Sequence, residues 1–270
     1  MAARVEPVAG IGRAVMVACD PAPAHCALVT RPRAESEALA AALGRRGIAA
    51  LIAPMLEIVF CPAGRLDLAG AQAVLCTSAN GVRALARASG ERGVPLFAVG
   101  EASAAAAHRA GFTAVASAAG DADDLARLAA ARLDPQAGRL VHITGSAVAG
   151  DLAGVLTGHG FTVARAALYE ARPAATLNEE TRQALSRGLA DLALFFSPRS
   201  AAVFVALAVA AGLGQACAGI TAVSISAATD RALAALGWCA RHVADRPNQA
   251  ALLAALDRAC EPSGPSAGAA

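Results

Sequence analysis

The chain has 270 residues, with 23 Lys plus Arg against 21 Asp plus Glu for a net charge of +2, and is 56% hydrophobic but only 3% aromatic. That length suffices for one large or two small domains with an ample core. The near-neutral balance, without a polybasic run and almost without aromatics to stack on bases, argues against nucleic acid as a partner. A core so poor in aromatics must be built from Ala, Leu and Val with backbones close together, which suits helices laid on a sheet.

Residues 1–25 read as a loose extension, in which Arg4 and Arg13 precede an apolar run over 14–18 too brief for a signal peptide. Folding signals begin with a buried-strand run at 27–30, followed by Arg31-Pro32, a helix to about Leu43 and a stop at Gly47. A second strand covers 48–54, and 55–60 continues extended with partial alternation, as a connector between lobes would. The next unit is a strand at 73–76, the turn Thr77-Ser78-Ala79-Asn80-Gly81, and a helix over about 82–88 capped by Ser78 or Asn80. A strand at 96–100 then passes Ser103 into a helix that ends before Gly111. A short strand near 114–116 and a helix through Arg132, capped by Asp121, complete that region.

The pattern then restarts. A strand at 140–143 leads through Thr144-Gly145-Ser146 into a helix reaching about Leu156, and a strand follows at 162–169. The last unit runs from a strand at 192–196 through Ser197-Pro198-Arg199-Ser200 into alternating helix and strand, closing with a helix over about 249–259. Residues 261–270, rich in Pro, Gly, Ser and Ala, read as a disordered tail. A hydropathy scan flags 201–223 as a membrane span, but Gly212, Gly214 and Gly219 divide it into a helix over about 200–211, a loop and a buried strand at 220–226. No membrane is expected as a partner. The seven cysteines (Cys19, Cys26, Cys61, Cys76, Cys217, Cys239, Cys260) form no C-x-x-C pair and read as reduced packing residues of a cytoplasmic protein.

Repetition organises these elements. The stretch from Ala73 resembles that from Ala193, and 28–47 resembles 140–160, giving the order A, B, A′, B′. Strand-then-helix alternation predicts an α/β fold with parallel sheets and right-handed crossovers. In such sheets ligands bind beyond the carboxyl ends of the strands, where helix N-termini present unpaired N–H groups. Those ends carry Thr30-Arg31, Thr77-Ser78, Gly100 with Ser103, Gly145-Ser146, Ser197 with Arg199 and Ser200, and Ser226 with Thr229. Capping alone accounts for any one of these hydroxyls; the set predicts a broad surface that accepts anions.

Other chemistry has no signature here. No G-x-G-x-x-G follows a strand, and there is no Walker loop or G-x-S-x-G elbow. His25, His108, His142, His159 and His242 have no metal-binding spacing, and His142, inside a strand, reads as a core residue. Asp123 and Asp124 read as partners of a helix dipole. Arg31, Arg33, Arg83, Arg172 and Arg199 are the arginines placed to meet carboxylates or phosphates, although most arginines are solvated. Tyr169, the only tyrosine, lies where the middle segment hands back to the outer one and is expected to face the cleft between two lobes, with Arg172-Pro173 as the exit of the connector.

Taken together, Leu-Val-Thr-Arg-Pro from Leu28, Ala-Pro-Met-Leu-Glu-Ile from Ala53, Leu-Cys-Thr-Ser-Ala-Asn from Leu75, Ala-Val-Gly-Glu-Ala-Ser from Ala98, Gly120-Asp121-Ala122, Leu-Tyr-Glu from Leu168, Phe-Phe-Ser-Pro from Phe195 and Pro247 resemble the uroporphyrinogen-III synthase family. The resemblance spans residues 28–259. It implies two lobes of Rossmann-like or flavodoxin-like type joined by a two-stranded β connector: residues 26–55 plus 172–260 in one lobe, 56–171 in the other. The implied activity is that of a lyase of tetrapyrrole and haem biosynthesis, which dehydrates and cyclises hydroxymethylbilane, inverting the final pyrrole ring, to give uroporphyrinogen III. It further implies no cofactor and no metal, hydroxymethylbilane synthase as upstream donor, and a monomer. Tyr169 occupies the position of the tyrosine most often linked to activity, as general acid or orienter. The strand-end residues Thr30, Arg31, Thr77, Ser78, Gly100, Ser103, Gly145, Ser146, Ser197, Arg199, Ser200 and Thr229 are the implied substrate contacts. Two positions depart from the family's usual residues: Ser103 replaces Thr and keeps the hydroxyl, while Ser226 replaces Gly and adds a side chain where backbone approach is expected. The competing reading is a non-catalytic module of the same fold that binds a tetrapyrrole or another acidic ligand.

Overall fold

The computed structural model describes residues 24–62, 66–147 and 150–261. Most of the loose extension and the disordered tail expected at the two ends therefore lies outside the described residues. His25 is an exception, because it opens the first strand. The chain divides into two compact units, one of residues 1–56 with 173–270 and the other of residues 57–172.

The first unit contains β1 (His25–Val29), α1 (Arg33–Gly44) and β2 (Ile48–Ile52). The next strand along the chain is β3 (Leu56–Phe60). The second unit continues with β4 (Ala71–Cys76), α2 (Ala79–Ala88), β5 (Leu96–Ala98), α3 (Glu101–Arg109), β6 (Val115–Ser117), α4 (Ala122–Arg132), β7 (Arg139–Gly145), α5 (Leu152–Gly158) and β8 (Val163–Pro173). The chain then completes the first unit with α6 (Glu179–Ser186), β9 (Leu192–Phe195), α7 (Pro198–Ala210), a 3-10 turn (Gly214–Gly219), β10 (Thr221–Ser224), α8 (Ala227–Arg231), β11 (Ala240–Val243) and α9 (Gln249–Cys260).

Each unit is an α/β layer structure. The first sheet has the order β11-β10-β9-β1-β2, with every neighbouring pair parallel. The second has the order β3-β8-β7-β4-β5-β6, parallel from β8 to β6. Successive side chains of a strand point to opposite faces, so a continuous apolar run feeds two cores at once. Ala27 and Val29 of β1 join one cluster with Leu39, Leu43 and Leu252, while Leu28 joins another with Phe195, Phe204 and Leu233. In β4, Val74 and Cys76 pack with Val82, Leu85 and Phe112; Ala73 and Leu75 pack with Leu125, Leu140 and Leu156. The flagged run at 201–223 is divided among α7, the 3-10 turn and β10, and no helix of the described residues is long and apolar enough to cross a membrane.

Local chemistry sets the boundaries, and several differ from those read in the sequence. Ser78 rather than Asn80 caps α2, accepting from Gly81 N, so the helix starts at Ala79 instead of about Val82. α3 begins at Glu101 behind Gly100, which places Ser103 inside its first turn. No helix follows directly on Ser146: α5 starts at Leu152 and is capped by Asp151. Asp121 forms a full capping box with Asp124. The hydrogen bond from the Asp121 backbone, helped by Arg127, holds the Asp124 carboxyl below its ordinary pKa. Two elements, α6 and β11, are absent from the sequence reading. α6 is capped by Asn178 and carries Glu179 and Glu180 in its first turn, a readable start signal in a short and mostly polar segment.

Candidate functional site

In the second unit the strand order brings the ends of β8, β7, β4 and β5 side by side. β4 ends at Cys76, and Thr77 and Ser78 follow, both half-buried. The Ser78 hydroxyl oxygen accepts from Gly81 N at 3.0 Å and lies 2.9 Å from the Tyr169 hydroxyl. Tyr169 itself is half-buried on β8. Ser146, exposed, donates its backbone N–H to Tyr169 O at 2.8 Å. Gly145 lies under the phenol: a Cβ placed there would stand 3.0 Å from Tyr169 Cε2 and 3.1 Å from Cζ. At the next strand end, Gly100 heads α3 and accepts from Ser103 N at 3.0 Å. Thus Thr77, Ser78, Gly145, Ser146 and Tyr169 come together, with Gly100 one strand further along.

The first unit assembles a second row on β1, β9 and β10. Thr30, fully buried, donates to Leu194 O at 2.7 Å. Arg31 Nε donates to Glu35 Oε2 at 2.9 Å, its Nη2 reaches the same carboxylate, and Nη1 donates to Gln249 Oε1 at 3.0 Å. The guanidinium also lies 4.4 Å from the centre of the Phe196 ring. Its charge is therefore matched within the protein. The sequence marks Arg31 as an anion contact without these partners, although the four-residue spacing to Glu35 on a helix start is there to be read. Ser197 caps α7 and donates to Ser200 Oγ at 2.9 Å. Ser226 caps α8 with its hydroxyl 3.1 Å from Thr229 Oγ1. Arg199 is exposed.

Burial sorts the predicted contacts. Thr30, Ser103, Ser200 and Thr229 are buried, as is Gly145, and the hydroxyls of Thr30, Ser200 and Thr229 meet partners within their own unit. Arg31, Thr77, Ser78, Gly100, Tyr169, Ser197, Ser146 and Arg199 retain exposure. Arg83 donates to Asn80 Oδ1 at 2.7 Å beside the α2 N-terminus, a pair that capping arguments alone do not reveal. Ser226 has φ −158°, ordinary extended backbone, so nothing in the local conformation demands glycine there. Among the described residues no three His, Cys, Asp or Glu side chains converge as a metal site requires. The six described cysteines are free, and burial alone pushes the Cys217 thiol up to about 11 and the Cys76 thiol higher still, which leaves both inert as nucleophiles.

Chemically, the row in the second unit can offer backbone N–H groups at two helix N-termini and hydroxyl donors, and one of those hydroxyls is a phenol held at a fixed distance from a serine. When the Ser78 hydroxyl donates to the phenol oxygen, the phenol proton points away from Ser78.

No curated protein matches the sequence. Among solved structures, the uroporphyrinogen-III synthetase of Helicobacter pylori 26695 is similar in fold, with a TM-score of 0.59 at 18% identity over 87% of this chain and 99% of that one. A mutant uroporphyrinogen III synthase of the extremely thermophilic bacterium Thermus thermophilus aligns over 87% of this chain and 98% of that one at 20% identity, with a TM-score of 0.49. The family model described as uroporphyrinogen-III synthase HemD matches residues 37–254, most of the 270 residues, and the chain therefore belongs to the uroporphyrinogen-III synthase HemD family.

Proposed function

We propose that the chain is an active uroporphyrinogen-III synthase, a cyclising hydro-lyase that converts hydroxymethylbilane to uroporphyrinogen III with inversion of the final pyrrole ring. The observation that carries this reading is the phenol of Tyr169, held 2.9 Å from the Ser78 hydroxyl at a helix N-terminus in a member of this family. In the reaction a C–O bond breaks as the electron-rich pyrrole expels its hydroxyl. Tyr169 gives that oxygen a proton, so that water leaves. The methylene carbon left behind bonds to the substituted α-carbon of the final ring, the older methylene bond at that carbon breaks, and the methylene it frees bonds to the ring's other α-carbon, so that the ring is inverted as the macrocycle closes. The proton lost from that last carbon returns to the phenolate, and the net change is loss of one water.

The substrate is edged with acetate and propionate carboxylates. Thr77 and Ser146 offer hydroxyls, and Ser78 and Gly100 backbone N–H groups, for them in the second unit, and Ser197 and Arg199 carry donors in the first. Gly145 contributes through its closeness to the Tyr169 ring. Folding the flexible chain so that the correct carbon reacts is itself a large part of the rate, because orientation replaces an unfavourable search.

The test is to incubate purified protein with enzymatically generated hydroxymethylbilane and separate the I and III isomers. Isomer III is the expected product; isomer I alone overturns the proposal and leaves a binding module of the same fold. Tyr169→Phe is expected to fold normally and to form isomer III more slowly, and unchanged turnover would remove the acid role from Tyr169.

A further inference from the structure

We infer that Gly145 and the bulge at Leu168 form a seat that fixes the Tyr169 phenol against Ser78, which makes Gly145, Leu168 and Ser78 positioning residues for it. The inference rests on the reading of Tyr169 as the group that acts on substrate, but its geometry stands independently.

The pairing of β7 with β8 runs in step from Leu140↔Val163 to Thr144↔Ala167 and then shifts, so that Gly145 stands opposite Tyr169 and Leu168 is an extra residue. Such a bulge re-aims the next side chain. This one is pinned from several directions. The Leu168 side chain packs against the Val74, Cys76 and Val82 core, its carbonyl accepts from Cys61 N at 2.9 Å, and the Tyr169 carbonyl accepts from Ser146 N at 2.8 Å. With the backbone held, the ring passes over Gly145 so closely that any Cβ there would force it aside by a few tenths of an ångström. Gly145 is not among the glycines with positive φ, so the position demands glycine for this contact and not for a turn. At the far end the hydroxyl meets Ser78, whose oxygen is itself held by Gly81 N. Backbone, ring face and hydroxyl are each fixed, as a proton donor needs when small misplacements cost large rate factors.

Because Tyr169 is the only tyrosine, tyrosine labelled with ¹³C at Cζ gives a single ring signal from the whole chain. Gly145→Ala and Ser78→Ala are expected to move that signal and to lower kcat about tenfold with KM changed less than about twofold, the signature of misplaced chemistry rather than lost binding. Ser78→Thr, which keeps the hydroxyl, should restore both. Gly93→Ala, at a glycine with open space around it, should leave both unchanged. In a Tyr169→Phe background, Gly145→Ala and Ser78→Ala should lower kcat no further. A signal that stays in place in Gly145→Ala and in Ser78→Ala overturns the seat, as does an equal loss of rate with and without the Tyr169 hydroxyl. Should Gly145→Ala fail to fold, the Ser78→Ala and Ser78→Thr pair decides alone. A wild-type protein that makes no isomer III would refute the proposed activity, while the ring signal would still decide the seat.

Discussion

The two units build the same device at their strand ends and finish it differently. In each, a serine after a parallel strand caps the following helix: Ser78 for α2, Ser197 for α7 and Ser226 for α8. In the first unit the caps turn inward, Ser197 to Ser200 and Ser226 to Thr229, one turn along the same helix. In the second the cap reaches across the sheet to a phenol on another strand. An inward cap is a local stabiliser. A cap shared with Tyr169 couples helix α2 to β8 and sets the position of a side chain that has reactive potential. What separates them is the partner, and a partner from a distant strand is a property of the fold, not of the motif.

The cores differ as well, and the largest expected effect tests that. The first unit gathers Phe195, Phe204 and Trp238 into one cluster, with Phe195 edge-on to both neighbours at 5.3 and 5.7 Å. The second keeps Phe97 and Phe112 apart, in separate clusters on opposite faces of its sheet. Phe195→Ala is expected to cost about 3–5 kcal/mol, because the fully buried ring leaves a cavity lined by two other rings. Urea unfolding followed by the single tryptophan, Trp238, measures it. A loss under about 1 kcal/mol would mean that the cluster closes over the gap.

A second asymmetry concerns the central strands. The repeat aligns Leu28 of β1 with Leu140 of β7, so the place of Thr30, whose hydroxyl donates to Leu194 O, is taken in β7 by His142 at 1% exposure. Neither of its ring nitrogens finds a partner among the described residues. Burial, with a smaller push from the Arg165 charge, lowers its pKa from 6.5 to about 4. Between those values the unfolded chain binds more protons than the native one, so stability rises with pH there. The contribution is complete above about pH 6.5 and is lost as the pH falls towards 4, a span of at most about 3 kcal/mol. His142→Leu, which leaves no titrating group at that position, should flatten that part of the pH profile. Urea midpoints for both proteins at about pH 7.5 and about pH 4.5, on either side of most of that span, check it; parallel profiles would exclude His142 as the source.

The caps themselves give a smaller effect and the sharpest contrast. Ser78→Ala and Ser197→Ala each remove one cap and should each cost about 1 kcal/mol of stability. Only Ser78→Ala also loses the contact with Tyr169, so its loss of turnover should clearly exceed that of Ser197→Ala, as steady-state assays on both would show. Equal losses in turnover would erase the distinction between the units.

How much of this the sequence discloses follows from where the information lies. The parallel αβ units are legible because strands buried on both faces read as continuous apolar runs and most helix starts carry a capping side chain. β11 is hidden because Ala240-Arg241-His242-Val243 is an edge strand with alternating exposure, too polar to register as buried. The start of α5 is misread because Gly145-Ser146 looks like a helix entrance, while the cap that forms is Asp151. Tyr169 stands out by its solitude, but its geometry does not: the extra residue at Leu168 exists only relative to β7, and a register shift has no signature in either strand alone. Likewise Arg31 is legible as a cation and illegible as a matched one, since Gln249 and Phe196 come from far along the chain.

The smallest prediction concerns Ser226, at a position where the family is expected to carry glycine. Its backbone, at φ −158° and ψ 161°, is open to any residue, and its hydroxyl accepts from Thr229 N at 3.3 Å, a long bond at the start of a five-residue helix. Replacing a serine cap by glycine costs only a few tenths of a kcal/mol, because water reaches the N–H groups that the side chain leaves. Ser226→Gly should therefore change stability by about 0.3 kcal/mol, measurable as a small shift in urea midpoint, and leave Tyr169 and its ring signal untouched. If turnover instead rose severalfold, the Ser226 side chain would be blocking approach of the substrate to the backbone, and the first unit's row would be a working part of the site and not only a set of inward caps.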